Sequence, residues 1–168
     1  SITVIVYLGI RILVAVGGWP AMPDIPGAEH CISSNEVFHL EEQPRRLLVV
    51  GGGYIAMEFA GVFDALGSEV TVVNRSDVIL RGYDRGAVER LQQIVEARGI
   101  EVRMNARLLS VEKQADGSLL ADIGGERLAA DQILVATGRR PNTAGLGLEN
   151  AGVELDDSIE LGGALLQL

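Results

Sequence analysis

The stretch Arg46 to Leu66, RLLVVGGGYIAMEFAGVFDAL, restricts the possible folds more than any other part of the chain. Leu47, Leu48, Val49 and Val50 form a short apolar run of the kind found in parallel strands covered on both faces. Gly51, Gly52 and Gly53 end it. A turn this tight needs backbone angles that a Cβ resists, and the missing side chains let a pyrophosphate approach the main chain. From Tyr54 the period becomes helical. Ile55, Phe59, Val62, Phe63 and Leu66 recur at helical spacing, while Ala56, Ala60 and Gly61 keep one face thin enough for the helix to lie close on a sheet. The amides of the first helical turn then point at the glycines and make an anion site.

A glycine-rich turn alone is weak evidence, because many strands end in one for structural reasons. Here the context supplies the rest. Gly67 stands where a helix stops, and Val70 to Val73 reads as a second strand leading to Asn74. After a loop from Arg75 to Asp84, Asp84 caps a helix over Arg85 to Arg98, with Val88, Leu91, Ile94 and Val95 on its buried side and Gly99 as its stop. Ile100 to Met104 is the third strand. Alternation then replaces the helical period in Leu108 to Lys113, Ser118 to Ile123 and Glu126 to Ala129, with turns at Asp116-Gly117 and Gly124-Gly125. A last strand, Ile133 to Thr137, follows. The expected fold class is α/β: a Rossmann-like dinucleotide-binding fold, with a central parallel sheet, helices and a three-stranded antiparallel β-meander in place of the final crossover helix.

The 168 residues suffice for one domain with overhangs. Apolar residues make up 48% of a chain whose net charge is −9, a balance expected where some surface is normally covered. The acidic charge argues against a nucleic-acid or anionic-membrane partner. Cys31 is the single cysteine, which leaves no internal disulfide, no CxxC pair and no cysteine-rich metal site, and favours a cytoplasmic setting. Ile2 to Ile10 is apolar, but Arg11 interrupts it well short of the roughly 20 residues of a membrane span, so it reads as strand material without a targeting role. ILVAVGGWP from Ile12 and ILVATGRRP from Ile133 are near copies, each an apolar strand reaching glycine and then proline. They bracket the nucleotide unit as entry and exit would. Trp19 to Pro44 is a proline-rich connector expected to cross a surface with little regular structure, and its His30, Cys31 and His39 lack the spacing of a metal site.

The motifs GGWPAMPDIPG from Gly17, HCISSNE from His30, GGGYIAMEFAG from Gly51, LRGYD from Leu80 and ATGRRPNT from Ala136 together resemble the NADPH-binding domain of the flavin-dependent pyridine nucleotide-disulfide reductases. Within that family they are most similar to the glutathione reductases, with the trypanothione reductases also similar. The resemblance implies that residues 1–44 are an entry strand and connector from an FAD domain, 45–138 the NADPH-binding domain, and 139–168 an exit segment back toward the FAD domain. It implies NADP(H) as cofactor, FAD bound elsewhere in a parent enzyme, and glutathione disulfide reduced through domains outside this chain. The parent is expected to be a homodimer. No FAD fingerprint, no CxxxxC disulfide and no catalytic His domain is found, so the chain is expected to be a piece of such an enzyme, with no catalytic residue of its own. Residues 1–11 and 158–168 depart from the family pattern.

Cofactor choice falls to the end of the second strand, where NAD-binding units usually carry an Asp or Glu for the ribose hydroxyls. This chain has Asn74, then Arg75 and, further on, Arg81, both able to fork onto a phosphate. By resemblance, Tyr54 covers the nicotinamide pocket, and Glu58 bonds the carboxamide and pairs with a lysine of the flavin domain; the only lysine here is Lys113, in the meander. Gly51, Gly52 and Gly53 of the turn would bind the cofactor, Gly52 and Ile55 lining the pyrophosphate and nicotinamide ribose, Gly138 would face the cofactor from the last strand, and Arg139 would help join the flavin side. Ala56 replaces the third glycine, as in NADPH-using members. The alternatives are trypanothione reductase or another NADPH-dependent disulfide reductase and, from a different class, a non-catalytic nucleotide-binding module.

Overall fold

The computed structural model describes residues 14–153. In chain order its elements are β1 (Gly18–Pro20), β2 (Arg46–Val50), α1 (Tyr54–Ala65), β3 (Glu69–Val73), α2 (Arg85–Ala97), β4 (Glu101–Arg103), β5 (Ser110–Lys113), β6 (Leu119–Ile123), β7 (Glu126–Ala130), β8 (Gln132–Val135) and β9 (Arg139–Pro141). Single 3-10 turns occur at Ala28–His30, Glu36–His39 and Leu148–Ala151. The described residues divide into two units, Pro20–Gly138 and the flanking pair 14–19 with 139–153.

Pro20–Gly138 is built on a four-stranded sheet in the order β4-β3-β2-β8, parallel throughout, with Val49 level with Val72 on one side and Leu134 on the other. The chain starts in the middle, winds outward through two strands, and returns to the other side of β2. That reversal of direction places a crevice between the ends of β2 and β8. Side chains alternate along each strand, so the sheet has two cores. Leu47, Val49, Val70, Val72 and Leu134 pack with Ala56, Ala60 and Phe63 of α1 and Val88 and Val95 of α2. Leu48, Val50, Val73, Ile133 and Val135 pack with Val111, Leu119, Ala121 and Ile123 of the antiparallel β5-β6-β7 meander. Helices therefore cover one face and the meander covers the other. Among the described residues no helix is long and apolar enough to cross a membrane.

The thin face of α1 does lie on the sheet: Ala56 and Ala60 are completely buried, with Met57 and Phe63 beside them. Of the larger apolar residues at helical spacing only Phe63 is buried, whereas Val62 and Leu66 are exposed and Ile55 and Phe59 are half-buried. A helix approaching a sheet closely must present its small residues to it, which turns the bulky ones sideways or outward. α2 starts where expected, with the Ala87 amide donating to the Asp84 carboxylate at 2.9 Å. Its buried side holds Val88 and Val95, while Ile94 is exposed.

The connector is more ordered than its prolines suggest. Ile32 donates its N–H to the Ile133 carbonyl at 2.9 Å and accepts from Val135 at 2.8 Å, which covers the free edge of β8. Val37 and Ser33 are buried, and the Ser33 hydroxyl and amide both donate to the Glu36 carboxylate, holding that carboxyl below its usual range.

In the flanking unit, the Asn142 N–H donates to the Gly17 carbonyl at 2.9 Å and the Arg139 guanidinium donates to the carbonyl of Gly18. β1 and β9 form a two-stranded sheet. Of the strand expected over Ile12–Val16, Ile12 and Leu13 lie outside the described residues, while Val14 to Val16 belong to no strand, and among the described residues pairing begins at Gly18. An apolar, β-branched run becomes a strand only where a neighbour offers it a hydrogen-bond ladder. Its near copy has such neighbours and forms β8, completely buried at Ile133 and Leu134.

Candidate dinucleotide site

Because β2, β3 and β8 are parallel, their ends bring three segments to one edge of the sheet: Gly51–Gly53, the loop opening at Asn74, and Ala136–Gly138. Gly51 is buried, with φ +134°, and a Cβ there would run into the Ala136 carbonyl. Its N–H donates to Val73 at 2.9 Å, while the Ala136 N–H donates to Val50 at 2.8 Å. The turn is thus tied to both neighbouring strands. Gly53 is the N-cap of α1, extended and exposed; a Cβ there would meet nothing within 4 Å. No side chain caps the helix, and no acidic residue sits in its first turn. The first amides of α1 are therefore left without an intramolecular anion.

Tyr54 and Glu58 are exposed on α1, one turn apart, and Ile55 is half-buried. Gly138, at the far end of the crevice, is exposed with φ +150°, and its carbonyl accepts from the Ala21 N–H at 3.0 Å. Arg139 lies in the flanking unit.

Asn74, unlike the exposed Arg75 that follows it, is only 5% exposed. Its side-chain amide donates to the Val78 carbonyl at 2.7 Å and approaches the Met104 sulfur at 3.6 Å. Arg75 and Arg81 are exposed, and among the described residues neither forms an ion pair, unlike Arg46, Arg85, Arg98, Arg103 and Arg127. The loop carrying them is pinned. Ile79 is completely buried in the helix-side core, the Leu80 N–H donates to the Gly52 carbonyl at 2.6 Å, and the Asn105 N–H donates to Ser76 at 3.1 Å. By its polar residues this segment reads as a plain loop; the signal to the contrary is the run Val78-Ile79-Leu80, apolar between Ser76-Asp77 and Arg81-Gly82.

Two further features lie apart from this edge. Cys31 is half-buried, and its thiol is pushed up to about 11 by burial and, secondarily, by the charge of Glu29, so at neutral pH it is a protonated thiol. A polar recess of about 270 Å³, lined by Glu29, His30, Lys113 and Asp131 among others, opens near the start of β8, at the opposite end of the strand from the glycine turn.

Residues 7–162 match the family model described as pyridine nucleotide-disulphide oxidoreductase. A glutathione reductase from Nostoc sp. is 44% identical over 150 residues, covering 88% of this chain and 33% of that protein. A trypanothione reductase from Trypanosoma congolense is 45% identical over 151 residues, covering 88% of this chain and 31% of that protein. Among solved structures, the HOCl-induced flavoprotein disulfide reductase RclA from Escherichia coli superposes with a TM-score of 0.80 at 31% identity, over 88% of this chain and 34% of that one. The chain thus spans about a third of the length of the curated relatives it matches. With its sheet order, glycine turn and meander in place, the chain belongs to the pyridine nucleotide-disulphide oxidoreductase family.

Proposed function

We propose that this chain is the NADP(H)-binding part of an FAD-dependent disulfide reductase. The observation that carries this is the juxtaposition, at one sheet edge, of an uncapped helix N-terminus behind a glycine turn and an ordered loop bearing the exposed Arg75 and Arg81. The residues present fit a dinucleotide. Gly53 has no neighbour that a pyrophosphate would have to displace, and no carboxylate in the first turn opposes its charge. At the end of β3 there is no acidic side chain to repel a 2′-phosphate; Arg75 and Arg81 instead offer guanidinium forks to it.

In this reading Gly51, Gly52, Gly53 and Ile55 line the pyrophosphate and nicotinamide ribose. Tyr54 covers the nicotinamide pocket, and Gly138 faces the cofactor from across the crevice. Glu58 hydrogen-bonds the carboxamide and pairs with a lysine of the flavin domain. FAD, held elsewhere in the parent, would accept the hydride and pass reducing equivalents to a disulfide. The role of this chain is to bind and orient the donor. Residues 1–44 and 139–168 lead to and from the flavin domain. The two curated relatives stand level in identity, so the substrate class is a low-molecular-weight disulfide, with glutathione disulfide and trypanothione disulfide as the two to assay.

Calorimetric titration of the chain with NADPH and with NADH tests this. NADPH should bind more tightly, each good charge-assisted hydrogen bond to the 2′-phosphate contributing about 1.5–3 kcal/mol before solvent screening. Arg75→Ala combined with Arg81→Ala should bring the two affinities together. Equal affinities in the unaltered chain would overturn the assignment.

A further inference from the structure

We propose that Asn74 is a positioning residue that clips the Arg75–Arg81 loop to the glycine turn, setting cofactor preference without itself touching the cofactor; the proposal rests on the reading of that loop as the 2′-phosphate site. Two observations meet at this side chain, and a third at the glycine it packs against. Its Nδ2 is committed to the Val78 carbonyl inside the loop at 2.7 Å. Its amide plane lies flat against Gly52, where a Cβ would stand 2.6 Å from Cγ, 2.7 Å from Nδ2 and 2.8 Å from Oδ1, so Gly52 is bare because Asn74 fills that space. The same glycine accepts the Leu80 N–H at 2.6 Å, with Leu80 in the left-handed region at φ +49°.

The consequence is mechanical. Arg75 follows Asn74 directly and Arg81 follows Leu80 directly, so both arginines leave the backbone next to an anchored residue. Asn74 is held in its turn: its N–H donates to Arg103 at 2.9 Å and its carbonyl accepts from Ala106 at 3.0 Å. A long side chain confined at its base loses less freedom on closing onto a phosphate, which is how a buried amide can favour NADPH from beneath the binding surface. A carboxylate at this position would face the Val78 carbonyl with no proton to donate, so Asn74→Glu would unseat the loop before it could address a ribose.

The test uses the 168-residue chain, with NADPH and NADH as probes and amide hydrogen exchange as a readout independent of binding. Asn74→Leu keeps approximate size and removes the donor. It should weaken NADPH by about tenfold, the fold-change of one hydrogen bond, and NADH by less than about twofold. In the Arg75→Ala/Arg81→Ala background the same change should cost nothing further, since residues acting through one another are not additive. Exchange at the Leu80 amide should accelerate while amides inside β2 and β3 stay protected. Should Asn74→Leu not fold, Asn74→Ser carries the same expectations. An equal loss for both nucleotides, an undiminished loss in the arginine-free background, or unchanged exchange at Leu80 would each overturn the clip. A chain that never preferred NADPH, or whose preference ignored both arginines, would instead overturn the phosphate-loop reading, and this inference with it.

Discussion

Gly52 and Asn74 occupy one another's space, and this contact shows how far single residues can be read from sequence. The requirement for glycine at Gly51 was legible from its place at a strand end, and a φ of +134° against the Ala136 carbonyl bears it out. The requirement at Gly52 comes from a residue more than twenty positions away in the sequence. Exposure separates the proposed roles in the same way. Tyr54 and Glu58 are exposed contacts on α1, so in this chain Tyr54→Ala and Glu58→Ala should each shift NADPH affinity by less than about 1 kcal/mol by titration. A loss of several kcal/mol would mean that the nicotinamide end builds the grip. Cys31 carries a different expectation. With its thiol raised to about 11, the reactive thiolate is scarce at neutral pH, so alkylation by iodoacetamide should be slow at pH 7 and still climbing at pH 10. A rate that levels off near an ordinary thiol value of about 8.5 would show the side chain to be freely solvated.

At the scale of elements, periodicity identified α1, α2, β2, β3 and the meander, because each is encoded by a local pattern: an apolar run, a 3.6 period or an alternation. Periodicity alone does not say which face of α1 is buried. Its apolar residues are spread around more than one face, and the sheet selected Ala56 and Ala60 because only small side chains permit the close approach. Ala60→Leu should therefore destabilise the fold by about 1–3 kcal/mol through overpacking, while Val62→Ser, on the exposed side, should change the thermal midpoint little. Equal effects from the two substitutions would contradict this packing. The near copies make the same point: among the described residues, Val14 to Val16 belong to no strand, whereas Ile133–Val135 lie in β8 with β2 and Ile32 as hydrogen-bonding neighbours.

At the scale of the whole molecule, the chain combines the proposed nucleotide site with a single, protonated thiol. Thiol–disulfide exchange in this class requires a pair of cysteines, so the purified chain should bind NADPH yet show no NADPH-dependent reduction of glutathione disulfide in a spectrophotometric assay. Turnover above background would show that the chemistry resides here after all. The sequence by itself determined the fold class, the order of helices and strands from β2 to β8, the glycine turn and the family, because strand runs, helical periods and turn residues are local and their order limits the sheet to few topologies. Only the tertiary structure decided that Asn74 turns inward, that Leu80 latches onto Gly52, and that the connector covers β8 through Ile32. Each of those depends on atoms brought together from distant parts of the chain, and the direction of a side chain is set by the space its neighbours leave, which no local pattern records.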